Sequence, residues 1–474
     1  MNIALIYPAY TEIYGDYKPA ARIGVLYPPL GLSYLAATLE REGHKVTIID
    51  MEAELLTKEQ LEKRIGEIKP AVVGITSTTP IHHKADELFG FIKRIDKNIV
   101  TIAGGPHPTS IPNKTLEENK DIDIVIVGEG EKTVIELADK IEKNEDVSAV
   151  DGIFYRKGEE IKKTKPRELI QDLDWLPFPA RHLLKQEIYV WGVPKKGIIQ
   201  VTPIETTRGC PFKCSFCSQI VVFGNKIRER SVDNVIEEIK EIRDKYKITH
   251  LVFYDDTLGL NRKRTMELCD RIINEKIDIT FEGMTRVNCI DEELIIKMKQ
   301  AGLNRLSFGV ESGNQDILNA IKKGINLQQI RDAYRLVDKH GIETRMSIIF
   351  GLPFETKETI KKTIKFMKSL KCYQAYVNIG TPFPGTEYYE MAKHGYGGLK
   401  LLTHDWREFR RWGNAVINVN DLTKEELIKW QKRALLEFYL RPRIIWYNLR
   451  RAGIKAAVKN VHGFVKSFVK KKAA

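Results

Sequence analysis

Cysteine is scarce in this chain: six in 474 residues, too few for disulfides to hold so long a sequence together. That excludes the disulfide-stapled secreted class. None of the six precedes Cys210, so the first 200 residues hold no cysteine site for a metal cluster. Long apolar runs are missing too. None approaches the roughly 18 residues that span a bilayer. The opening MNIALIYP is too short for a secretory signal and has no basic lead-in. A cytoplasmic location is expected. Acidic residues stop at Glu437, and the ten lysines and arginines beyond it leave only +3 of the net +13 for everything before. Nucleic acid is therefore not an expected partner, because the basic surface is a tail and not a face of the body. Low-complexity segments and short repeats are also absent. The 43% hydrophobic content suffices for two or three packed domains.

What is present has rhythm. Up to about residue 140, β-branched runs (NIALIYP, KVTIID, AVVGITST, VTIAGG, DIVIVGEGE) alternate with amphipathic stretches (GLSYLAATLEREG, KEQLEKRIGEIK, ADELFGFIKRI, KTVIELADKIE). This predicts an α/β domain over residues 1–145 with a doubly wound parallel sheet. Ligands of such sheets lie at the carboxyl ends of the strands, which puts Ser77, Thr78, Gly104, Gly105, His107 and the stretch from Gly128 to Glu131 in place to meet one. Gly104 and Gly105 admit a flat ligand close to the backbone, and Gly128 and Gly130 could do the same before a helix. No third glycine follows at dinucleotide spacing, so that ligand class is not supported. Residues 146–197 lose period and read as a linker with a hairpin, GIFYRKGEEIKKT, and a Pro-rich connector, DWLPFPARHLL. A second strand and helix series over 198–390 predicts a partial (β/α)6 barrel, with its chemistry at the strands' C-terminal ends. Residues 391–474 are expected to be helical, ending in a basic amphipathic tail.

The segment TTRGCPFKCSFCSQ follows the first barrel strand and places Cys210, Cys214 and Cys217 on one loop at the barrel mouth. Three thiolates can face one iron–sulfur cluster, and with no fourth cysteine nearby one iron keeps an open position. Zinc and chance clustering are the competing readings of the spacing alone. Cys269, Cys289 and Cys372 read as small buried hydrophobes.

The CxxxCxxC pattern with Phe216 before the last cysteine, set after the first strand of a six-unit barrel, resembles the radical S-adenosylmethionine superfamily. The resemblance implies a 4Fe-4S cluster on the three cysteines, S-adenosylmethionine on the open iron, and an electron donor such as a ferredoxin or flavodoxin. It implies that Asp255 and Asp256 of FYDD hold the amino group of S-adenosylmethionine, that Glu311 and Ser312 of FGVESG meet its ribose, and that Gly351 and Pro353 of IIFGLPFET pack on its adenine. The usual glycine-glycine-glutamate form is absent at FYDD. PPLGLSYLAATLEREGH, AGGPHPT, VGEGEKT and the LPFPARHLL connector resemble the subfamily that carries a cobalamin-binding domain. That likeness implies cobalamin near Ser77, Gly104, Gly105, His107, Gly128 and Gly130. No Asp-x-His-x-x-Gly supplies a histidine to cobalt, and His107, between two prolines, reads as a solvated turn residue.

The expected activity is cobalamin-dependent methyl transfer to an unactivated carbon of a lipid or isoprenoid-like substrate. A radical cyclase or carbon–carbon bond-forming enzyme is the alternative, and a non-catalytic cobalamin- or membrane-binding protein a second one. The tail alternates apolar Ile454, Val458, Val461, Val465 and Phe468 with lysines, which predicts contact with an anionic membrane surface.

Overall fold

A computed structural model describes residues 1–11, 13, 26–193 and 196–449. The first sheet has seven strands, β1 (Asn2–Tyr7), β2 (Lys45–Asp50), β3 (Val72–Thr76), β4 (Val100–Gly104), β5 (Ile124–Ile126), β6 (Ile153–Lys157) and β7 (Glu160–Lys163), in the order β2-β1-β3-β4-β5-β6-β7. β1 to β5 run parallel, with helices on both faces forming two separate apolar layers. The GIFYRKGEEIKKT hairpin is β6 and β7, which extend this sheet antiparallel to β5.

A hairpin of β8 (Val190–Val193) and β9 (Gly197–Gln200) precedes the second sheet. The stretch beginning at Ile198 was expected to open the barrel, but β9 pairs back on β8 and the barrel's first strand is only β10 (Thr202–Ile204). A two-stranded ribbon, β11 (Thr207–Arg208) with β12 (Arg228–Glu229), brackets the cysteine loop. Next come β13 (His250–Phe253), β14 (Thr280–Thr285), β15 (Leu303–Glu311), β16 (Glu343–Phe350) and β17 (Gln374–Ile379). The sheet β10-β13-β14-β15-β16-β17 is parallel throughout and has six strands, as the repeat predicted.

Alternation explains its two faces. In β15, Leu306, Phe308 and Val310 join the core under the helices, while Arg305, Ser307, Gly309 and Glu311 point the other way. The helices start where short polar side chains can cap them: Ser231, Asn261, Asp291, Asn326 and Thr356 each accept a hydrogen bond from a first-turn amide. Beyond the barrel, β18 (Leu399–Leu401) pairs with β19 (Ile417–Val419), so the C-terminal region is not helical alone. The helix Lys424–Tyr439 then packs on β17 through Leu427, Gln431, Ala434 and Phe438. No helix among the described residues is long and apolar enough to cross a membrane. The amphipathic tail lies outside the described residues. Of the two aromatics just before it, Trp446 is exposed and Tyr447 packs on Tyr373 at 4.6 Å between ring centres.

Candidate active site

The cysteine loop is anchored at its base by Asp255. This buried carboxylate, at the end of β13, accepts the Thr206 amide (2.6 Å), the Thr206 hydroxyl (2.6 Å) and the Thr207 amide (3.0 Å). Gly209 then turns the chain with φ 88°, and any side chain there would collide with the Lys226 carbonyl oxygen. Farther along, the Ser215 amide donates to the Ile321 carbonyl (3.1 Å), and its own carbonyl accepts the Tyr388 amide (2.8 Å). Cys210, Cys214 and Cys217 are all partly exposed. The Cys210 thiol lies 3.7 Å from the Thr257 hydroxyl, and the Arg286 guanidinium donates to the Cys214 sulfur at 3.4 Å. Burial pushes the Cys217 thiol up to about 11, with Asp256, Cys214 and Cys210 adding to the rise. Among the described residues no three His, Cys, Asp or Glu form a single-ion site. A zinc ion needs its ligands drawn around one centre at about 2.3 Å. Three partly exposed thiols beside a cation fit an anionic cluster, in which each thiolate serves its own iron.

The residues expected to meet S-adenosylmethionine divide into two groups. Asp256 keeps a buried carboxylate oxygen without a partner, and burial pushes its pKa up to about 7, opposed by a hydrogen bond from Gln219. Asp255 beside it is fully engaged, as described. Glu311 adopts φ 62°, places one oxygen 2.9 Å from the Lys323 ammonium and leaves the other buried and unpaired. A side chain on Gly309 would press on that carboxylate and on the Lys323 ammonium, so glycine leaves the pair its room. The Ser312 hydroxyl is turned inward, 3.3 Å from Thr363 and accepting the Asn314 amide at 3.2 Å. Gly351 has φ 92°, and its carbonyl accepts the Tyr388 hydroxyl at 2.6 Å. Glu355 is fully buried and accepts the Gly351 and Leu352 amides through one oxygen. Burial raises it to about 8, and its second oxygen is unpaired. Pro353 lies against Gly397, whose carbonyl accepts the Phe354 amide at 2.7 Å.

On the other side, Ser77, Gly104 and Gly105 meet at the ends of the adjacent strands β3 and β4, where the Ser77 amide donates to the Gly104 carbonyl (3.0 Å). Gly105 has φ 96°, and a side chain would fall 2.8 Å from the Ser77 carbonyl oxygen, whereas Gly104 faces open space. A cavity of about 70 Å³ runs from these glycines between the sheet and its helices, lined by Leu5, Leu35, Ile102, Ile126 and Val134 among others. Room beside a bare backbone and an apolar cavity behind it suit a flat macrocycle with an apolar limb. His107 departs from expectation. It is fully buried on the short helix Pro106–Ser110, stacks on His82 at 3.9 Å, and binds the Thr79 hydroxyl at 3.0 Å. Burial lowers its pKa well below the usual histidine value, with His82 and Lys114 adding to that. Neighbouring prolines fit a helix's first turn as well as an open turn, which is why the sequence misled.

Residues 204–367 match the Radical SAM superfamily and residues 19–138 the B12 binding domain. An uncharacterised methyltransferase of Pyrococcus horikoshii is 39% identical over 424 residues, 89% of this chain and 90% of that one. The chain belongs to the radical SAM superfamily. Anaerobic magnesium-protoporphyrin IX monomethyl ester cyclase of Rubrivivax gelatinosus is 27% identical over 99% of this chain and 82% of its own. The fold is that of the radical S-adenosylmethionine methyltransferase TsrM from Kitasatospora setae, solved with cobalamin and a [4Fe-4S] cluster (TM-score 0.74, 17% identity, 98% of both chains).

Sequence reading put the stretch from Gly128 to Glu131 where a ligand would lie and missed the buried ion pairs that its two carboxylates make. The carboxylates of Glu129 and Glu131, in the loop with Gly128 and Gly130, turn toward the barrel. Arg208 donates to Glu129 at 3.0 Å, to Glu131 at 2.7 Å and to Glu205 at 2.7 Å, and Arg228 donates to Glu129 at 2.7 Å. Gly128 lies on the cysteine side, where a side chain would stand 4.0 Å from the Val222 carbonyl. Glu129 and Glu131 lie about 80 to 100 residues from these arginines in sequence, so no local pattern signals the pairs. Cys289 was expected to be a buried hydrophobe like Cys269 and Cys372. It is only partly buried, and its thiol is raised by burial with a further push from Cys210.

Proposed function

We propose that this radical SAM enzyme is a cobalamin-dependent methyltransferase that acts on an unactivated carbon of a lipid or isoprenoid-like substrate. The observation that carries the reading is the junction of the two halves. Gly385 sits between them: a side chain on it would stand 3.4 Å from Ser110, after the Gly104–Gly105 turn, and 3.0 Å from Val221, after the cysteines. When bound, S-adenosylmethionine at the cluster would supply the group that abstracts hydrogen, and a second S-adenosylmethionine would give its methyl, by way of the corrinoid, to the substrate. The chain's residues do the positioning. Cys210, Cys214 and Cys217 would hold the cluster, and Arg286 donates to the Cys214 sulfur. Asp256 and Glu311 offer their unpaired oxygens to the bound cofactor's amino and hydroxyl groups. Ser77, Gly104 and Gly105 form the cobalamin cradle. On the barrel face turned from the helices, Tyr254 (41% exposed, just after β13) and Met284 (51% exposed, in β14) offer apolar contact for a substrate beside the charged side chains of that face. Tyr27 stacks with Trp191 and Tyr254 beside them.

Anaerobic reconstitution should give about four irons and four sulfides per chain. The expected product, from lipid extract and methyl-labelled S-adenosylmethionine, is a labelled lipid absent with any Cys210→Ala, Cys214→Ala or Cys217→Ala variant. Stoichiometric zinc without iron would overturn the cluster, and an unlabelled ring-closed product would overturn methyl transfer.

A further inference from the structure

The ion cluster between the N-terminal sheet and the cysteine loop is built more completely than an interface contact requires. Arg208 and Arg228 are directly opposite each other in the β11–β12 ribbon, a like-charge pair that is unfavourable by itself. Both are buried, 3% and 6% exposed. What lies between them is Glu129, which reaches in from the loop after β5 and binds both guanidinium groups. Its second oxygen also accepts the Ile170 amide at 2.7 Å, while Arg228 donates to the Ile170 carbonyl at 2.7 Å, so the connector is tied into the same cluster.

Arg208 is held on every side. Its Nε and both terminal nitrogens each meet a different carboxylate, those of Glu205, Glu129 and Glu131. Its guanidinium also faces the ring of Tyr34, from the N-terminal sheet's helix, at 5.3 Å and that of Phe223, just after the cysteines, at 5.2 Å. One residue, Gly209, separates it from Cys210, and that turn admits no side chain. The position of Arg208 therefore fixes the start of the cysteine loop. Glu129 and Glu131 flank Gly130, so the same carboxylates fix the loop at the end of β5.

We propose that Glu129, Glu131 and Arg208 are a latch that couples the two cofactor sites, so that seating a ligand in one orders the loop of the other. The inference rests on the cobalamin reading above and adds a linkage between the sites. Withdrawing Glu129 removes the carboxylate that Arg208 and Arg228 share, leaves Arg208 to Glu131 and Glu205, and loosens the ribbon at the start of the cysteine loop. A ligand that orders the loop carrying Glu129 restores the compensation. The linkage is reciprocal: an assembled cluster tightens corrinoid binding by the factor with which the corrinoid favours the cluster. Arg208 and its partners are positioning residues, since they touch one another and not the reacting atoms.

The test uses the full chain and aquacobalamin as the probe, its dissociation constant measured with and without the reconstituted cluster. In the unaltered protein the cluster should tighten binding about tenfold. In Glu129→Gln, and in the milder Glu131→Gln, that factor should fall below about twofold. Glu129→Asp should recover part of it. Equal factors in the unaltered protein and both variants, or no factor in the unaltered protein, would overturn the latch. If the unaltered protein binds no aquacobalamin in either form, the cobalamin reading has failed and the latch is judged by hydrogen exchange alone. Amides from Gly209 to Phe223 in the cofactor-free chain should then exchange about tenfold faster in Glu131→Gln. Unchanged exchange would overturn the latch.

Discussion

Glu355 gives the sharpest test of the physical reasoning. It is fully buried, and burial moves its carboxyl from the ordinary 4.5 to about 8, against the pull of the Gly351 and Leu352 amides. That displacement corresponds to a penalty of about 5 kcal/mol on ionising it in place. The folded chain holds the proton up to about 8, whereas the unfolded chain releases it near 4.5. Between those values the native state binds more protons, so stability falls as pH rises. The contribution is fully present below about 4.5 and lost above about 8. Glu355→Gln is the fixed neutral mimic. Its carbonyl can accept the same two amides, and its NH2 replaces the unpaired oxygen. At pH 5 it should match the unaltered protein within about 1 kcal/mol, and at pH 8.5 it should be the more stable by several, up to about 5 kcal/mol. Thermal unfolding of both proteins without cofactors, at half-unit steps from pH 5 to 9, measures this. Two parallel pH profiles would refute the reasoning, because the slope would then belong to other groups. Glu355→Ala should be destabilised at every pH by about 2 to 4 kcal/mol, since it leaves two buried amides without an acceptor.

The two aspartates at the end of β13 should separate by phenotype. Asp256→Asn is expected to weaken S-adenosylmethionine binding by about tenfold or more while retaining iron, since it alters the free oxygen. Asp255→Ala should lose iron on desalting, because the Thr206 and Thr207 amides lose their acceptor. Iron content and cofactor affinity measured on the same preparations decide between them. His107→Ala should leave the visible spectrum of bound cobalamin unchanged, since the ring is packed under His82. It should still lower stability by roughly 2 kcal/mol as a buried truncation. A spectral change would mean that His107 reaches the cobalt.

The sequence alone determined what is periodic or local. Alternation of period two and helical stretches gave both parallel sheets, including the six strands of the second, because which faces are buried is written into neighbouring residues. The cysteine loop was legible for the same reason: its three cysteines lie within eight residues. Single residues were less so. His107 carried no local sign of burial, since the residues that cover it, His82 and Trp406, come from other parts of the chain. Asp255 and Asp256 are neighbours with opposite surroundings, one saturated by Thr206 and Thr207 and one left with a free oxygen. Tertiary structure alone decided where Glu129 and Glu131 point. In sequence they belong to a glycine loop before a helix. In the fold they meet Arg208 and Arg228, because strand ends of two sheets converge there and a buried charge must find its partner wherever the chain brings one.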